Sequence, residues 1–230
     1  MAAPSTPLRL LAVSVIASLT VTGCQTLDDA GRAIGRSDLV NDLASRLDRA
    51  LTLTYSADYQ LPAGKTATIA QEQEPARSAY TWPGGKLTVT EEATTRCESS
   101  GGRTVCTLEP PPATTAKPSV TVFAEAKRQG LVTPPVVVGL LTAAALDPDA
   151  VITNSDTTLA GRHATCVDVR QTADDFSACV TTEGALASFT GRVDGKPVEL
   201  ALTRYREAVD STAFELPAGA GVVDRRPAGS

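Results

Sequence analysis

The sequence predicts an α+β fold built on an antiparallel β-sheet, and three observations point to it. Leu51, Leu53, Tyr55, Ala57, Tyr59 and Leu61 alternate with Thr52, Thr54, Ser56, Asp58 and Gln60, the period-two signature of a strand with one dry and one wet face. Further short β-type runs follow at close spacing, separated by turn residues, which leaves no room for the crossover helices of a parallel sheet. Two segments break this pattern with helical character, one striped and one apolar nearly all round.

Taken in order, Ser37 or Asp38 is placed to cap a helix through about Leu51, with Leu39, Leu43, Leu47 and Ala50 on one face. After the 51–61 strand come runs near Thr66–Gln71, Ser78–Trp82, Lys86–Thr90, Thr94–Glu98 and Arg103–Leu108, with Pro62-Ala63-Gly64, Glu74-Pro75 and Pro83-Gly84-Gly85 between them. The proline-rich stretch 109–120 reads as a long surface loop inside one domain, since neither flank has strands enough to close a sheet alone. Next, Thr133 is placed to cap a helix that Pro134 and Pro135 open and Asp147-Pro148 ends. Its body, 136–146, is apolar except for Thr142, so it must be covered on two sides or border something greasy. Strands resume at about Val151–Leu159, Ala164–Arg170, Phe176–Thr182, Leu186–Arg192 and Val198–Arg206, with Glu183-Gly184 and Asp194-Gly195 as turns.

The N-terminus predicts where this domain works. After Arg9, residues Leu10–Leu19 carry no charge, a run too short to span a bilayer, which takes about 20 apolar residues, but suited to a signal peptide. Val21-Thr22-Gly23-Cys24 then resembles the bacterial lipobox, an aliphatic residue and two small ones before a cysteine, which implies that Cys24 receives a diacylglyceryl group. Domain organisation is therefore expected as signal peptide 1–23, a tether at 24–37, one domain at 38–217 and a flexible tail at 218–230. Removing 1–23 from the 230 residues leaves 207, and loss of Arg9 takes the net charge from −5 to −6. An acidic surface without a basic stripe argues against nucleic acid, and membrane contact falls to the acyl chains on Cys24. The expected location is the extracytoplasmic face of the cell membrane.

With Cys24 acylated, Cys97, Cys106, Cys166 and Cys179 remain in an oxidising context. Three pairings are possible; the Ser99-Ser100-Gly101-Gly102 turn and the polar turn between Cys166 and Cys179 favour Cys97–Cys106 and Cys166–Cys179 as neighbour-strand disulfides. Each would close a loop of roughly 10–15 residues and contribute about 3 kcal/mol. The single histidine, His163, has no C-x2-C partner set for zinc, and reads as a solvated residue beside the Ala160-Gly161-Arg162 turn. No G-x-S-x-G, H-E-x-x-H, P-loop or G-x-G-x-x-G occurs, so neither an enzyme nor a cofactor or metal protein is expected.

In "LAGRHATCVDV…FSACVTTEGALASF…YREAVDSTAFELPAGA", a glycine precedes a cysteine-bearing strand, a second cysteine precedes a Glu-Gly turn, and a Phe-x-Leu-Pro segment ends the domain. With the lipobox, the meander and the apolar helix, this resembles the LolA/LolB-like lipoprotein-carrier superfamily, and within it the actinobacterial LppX/LprG-type surface lipoproteins, over about Asp38 to Leu216. The resemblance implies a half-open, strongly curved antiparallel sheet, an incomplete barrel wrapped around helices, whose apolar cavity holds acyl chains of a lipid or lipidated ligand. The residues lead to a similar expectation on their own. A 133–146 helix laid across the concave face would turn Val136, Val137, Leu140, Leu141 and Ala144 toward Tyr55, Tyr59 and Trp82, and small aliphatics leave room for hydrocarbon. If the same residues close a solid core, the alternative is a tethered, non-catalytic module that binds an envelope protein.

Overall fold

A computed structural model describes residues 23–113, 117–172 and 174–227, with side chains described from Gly35 onward. Residues 1–22 of the expected signal segment and the side chain of Cys24 lie outside the described residues.

Helix α1 spans Gly23–Ala50. It runs through Ser37 and Asp38, the expected cap, and takes in the stretch read as a tether. No proline interrupts 25–37, and an interior glycine costs a helix only about 1 kcal/mol. Val40, Leu43, Leu47 and Ala50 form its buried stripe, with Leu39 half-buried beside them. The C-terminus is closed from the sheet: the buried Gln71 side chain donates to the Ala50 and Leu53 carbonyls at 3.0 and 2.7 Å. The chain therefore turns through 51–54, and the first strand starts at Tyr55 rather than Leu51.

The strands are β1 (Tyr55–Gln60), β2 (Thr66–Gln73), β3 (Ala76–Trp82), β4 (Gly85–Val89), β5 (Thr94–Ser100), β6 (Arg103–Glu109), β7 (Val151–Leu159), β8 (Arg162–Arg170), β9 (Phe176–Thr181), β10 (Leu186–Val193), β11 (Lys196–Arg206) and β12 (Gly221–Asp224). They form one curved, unclosed 12-stranded sheet in the order β12-β6-β5-β4-β3-β2-β1-β11-β10-β9-β8-β7. Two meanders meet at the antiparallel β1–β11 seam, where the register shifts between Asp58 and Tyr59. Local turn chemistry builds each meander; at Asp194-Gly195, both residues have positive φ (52° and 73°), as a two-residue hairpin turn requires.

The sheet is mixed rather than wholly antiparallel, because β12 pairs in parallel with β6. This strand comes from 218–230, the segment expected as a flexible tail. A 3-10 turn at Ser211–Phe214 seats Phe214 on Ala70 and Ala79, and Lys86 Nζ donates to the Glu215 carbonyl at 2.6 Å. The segment crosses the sheet face and delivers 221–224 to the β6 edge, as a parallel pairing demands.

Helix α2 (Val120–Arg128) emerges directly after the proline-rich loop, in a stretch to which the sequence period assigns no element. Ser119 caps it, accepting from the Val122 N–H at 3.4 Å. Helix α3 (Pro134–Leu146) sits where the sequence places it, but the Thr133 side chain makes no capping bond. One apolar core holds Leu43 and Leu47 of α1, Val122 and Ala126 of α2, and Val137, Leu141 and Ala144 of α3 against strands from both meanders. At Gly184 (φ +112°) a Cβ would stand 2.1 Å from the Arg46 carbonyl, so only glycine lets α1 approach the β9–β10 turn this closely.

Candidate functional site: an apolar groove between the two short helices

Helix α3 is apolar nearly all round, yet only one of its faces is buried. Val137, Leu141 and Ala144 fill the core side, while Pro135, Gly139, Thr142, Ala143 and Leu146 face outward, Leu146 at 79% exposure. Between these faces, Val136 and Leu140 are half-buried and form one wall of an open groove of about 620 Å3. The facing wall comes from α2 through Val120 and Phe123. Val120 is 84% exposed and Phe123 is buried. Thr133 lies at the groove floor, fully buried, and among the described residues its hydroxyl has no hydrogen-bond partner.

The rim is charged but internally matched. Lys127 Nζ stands 2.7 Å from Asp194 and Arg192 Nε 3.5 Å from Asp174, and Arg192 also donates to the Gly195 carbonyl at 2.6 Å. Ion pairs at a solvent-facing rim are individually weak.

A buried ionic cluster holds α2 in place. Glu125 is 5% exposed and faces Arg96 of β5 at 3.1 Å, Arg128 on its own helix, and the Gln129 amide at 3.2 Å. Burial pushes the Glu125 carboxyl up, but the hydrogen bonds from Gln129 and Arg128 and the charges of Arg96 and Arg128 outweigh it, leaving the group below the ordinary glutamate range.

The eight residues expected to line one cavity are not gathered around one void. Tyr55, Tyr59, Val137, Leu141 and Ala144 interdigitate in the core, and Tyr55 stacks on Tyr205 at 5.6 Å. Trp82 borders a separate hollow of about 350 Å3 with Leu61, Gly130 and Val198. Of the eight, only Val136 and Leu140 reach the groove. The α2 residues Val120, Phe123 and Glu125 have no part in the sequence reading; the signal for them is Ser119 followed by apolar positions at helical spacing.

Both disulfides are present, Cys97–Cys106 and Cys166–Cys179, each between directly paired residues of adjacent strands. His163 is exposed, with Nδ1 3.2 Å from the Thr157 carbonyl. Among the described residues no helix is long and apolar enough to cross a membrane, and no three His, Cys, Asp or Glu side chains group as a metal site.

No family model and no curated protein matches this chain. Among solved structures it is similar to MucB (15% identity, 83% of this chain and 66% of that chain, TM-score 0.49). It is also similar to an uncharacterized conserved protein from Thermus thermophilus (12% identity, 80% and 98%, TM-score 0.45). A third neighbour is MucB in complex with MucA(peri) (13% identity, 80% and 61%, TM-score 0.44). Less than two thirds of either MucB chain is spanned in the alignment with this one. Likeness at this level is a partial likeness of backbone.

Proposed function

We propose that the protein is an exported lipoprotein, anchored through Cys24, that binds an acyl-chain amphiphile in the α2–α3 groove. The observation that carries this reading is the groove itself, an open apolar trough with a partnerless hydroxyl at its floor and cations at its rim. Hydrocarbon laid along Val120, Phe123, Val136 and Leu140 gains about 0.8 kcal/mol per buried CH2. The polar head would meet Lys127 and Arg192. Two disulfides suit an oxidising, extracytoplasmic compartment, and the curved, unclosed sheet agrees with the lipoprotein-carrier resemblance seen in the sequence.

The test is lipid extraction and mass spectrometry of the purified chain from residue 25 onward, together with displacement of a fluorescent fatty acid. Stoichiometric amphiphile is expected, and Leu140→Arg should weaken probe binding at least about tenfold, the effect of roughly 1.4 kcal/mol, without lowering the melting temperature. Absence of both bound lipid and probe binding would sink the reading. The filled interior favours a second one: an anchored adaptor whose groove takes apolar side chains of an envelope protein. In that case Leu140→Arg abolishes capture of the partner while lipid is absent throughout.

A further inference from the structure

The two edges of the sheet differ in a way that points to self-association. At one end β12 is four residues long and is followed by Arg225 and Arg226, a short, charged edge of the kind that resists pairing. At the other end β7 is nine residues long. It runs in unbroken register with β8 from Val151↔Arg170 to Leu159↔Arg162, without a bulge, and it contains no lysine and no proline. Seven of its nine positions are exposed.

Hydrogen-bond parity shows which β7 groups face outward. The Thr182 N–H donates to the His163 carbonyl at 3.0 Å, so His163 and, by alternation, Thr165, Val167 and Val169 direct their backbone groups to β9. Ala164, Cys166, Asp168 and Arg170 therefore face β7, and engage Thr157, Ser155, Thr153 and Val151. The N–H and C=O groups of Ile152, Asn154, Asp156 and Thr158 are left pointing away from the sheet.

We infer that this edge pairs antiparallel with β7 of a second copy, about a twofold axis through Ser155. That register sets Ile152 opposite Thr158 and Asn154 opposite Asp156 of the second copy as hydrogen-bonded pairs, making about eight inter-strand bonds. Exposed Val151 (57%) meets Leu159 of the second copy, which joins the apolar ends. Charge fits as well. Asp156 is the one ionised side chain on the strand, and the register keeps the two copies of it apart, each facing an Asn154 amide. The Thr165 hydroxyl donates to Asp156 Oδ1 at 3.1 Å, which leaves Oδ2 for that amide.

The experiment uses the chain from residue 25, with Thr153→Cys and Thr157→Cys made separately. The register places Thr153 directly opposite Thr157 of the second copy in a close pair, whereas equivalent residues lie about four positions apart along the strand. Mild oxidation of the mixed variants should yield a disulfide-linked heterodimer, and either variant alone should not. Sedimentation supplies the second readout: Asn154→Asp should shift the chain toward monomer, and the exchanged pair Asn154→Asp with Asp156→Asn should restore the dimer at unchanged melting temperature. A mixture that fails to cross-link, cross-linking of the single variants, or a wild-type chain that is monomeric at high concentration overturns the proposal.

Discussion

Glu125 shows how one carboxylate positions a wall of the groove. It is the hub between Arg96 on the sheet and Arg128 and Gln129 on α2, and removing its charge leaves the half-buried Arg96 guanidinium facing a neutral amide. Glu125→Gln is expected to cost about 2 kcal/mol, the range for hydrogen bonds to charged groups, measured by urea unfolding at neutral pH. The pH dependence has a definite sign. Because the folded carboxyl lies below its ordinary range, its contribution is present above the unfolded value of roughly 4.3 and is lost as pH falls through the lower folded value. The acid limb of the stability curve should therefore flatten in Glu125→Gln; an unchanged limb would show that the cluster contributes nothing.

At the scale of elements, α3 carries two opposed requirements. Its inner face must be apolar to close the core, and its outer face is apolar without being covered. Leu141, fully buried, should cost about 3 kcal/mol on replacement by alanine, from lost transfer energy and the cavity left behind. Leu146→Lys, on the exposed end of the same helix, should change stability by less than about 0.5 kcal/mol. Thermal unfolding of the two variants separates the faces. Helix α2 illustrates why short helices escape a reading by period: its nine residues include Val-Thr-Val, which suits a strand as well as a helix, and only the Ser119 cap and the contact of Val122 and Ala126 with the core decide between them. The hairpins were far more legible, because alternation and turn dipeptides lie within a few residues of one another.

Across the whole molecule, the β1–β11 seam joins the meanders into one sheet and gathers the tyrosines near it. Burial raises the phenols of Tyr55, Tyr59 and Tyr80 far above their ordinary value, with the neighbouring tyrosines adding to the shift at each, and burial raises the phenol of Tyr205 as well. All four tyrosines of the chain thus favour the neutral form in the fold. An unfolded tyrosine ionises near about pH 10, so above that point the unfolded chain sheds protons that the native one keeps, and stability falls as pH rises. Near-ultraviolet titration of the native protein should show little phenolate until the chain unfolds cooperatively. Early ionisation of two or more phenols would mean the seam is looser than described.

Each element that depends on neighbours in sequence was readable from the chain alone: the strands from their alternation, the apolar helix from its prolines and its unbroken run, the cysteine pairs from the short turns between them. What depends on distant residues was not. The alignment of β1 with β11, the return of residues 221–224 to β6, and the turning of Val136 and Leu140 to an open groove while Val137 and Leu141 fill the core are decided by how whole faces pack. An apolar side chain fits an interior or a groove equally well until the surfaces around it are in place.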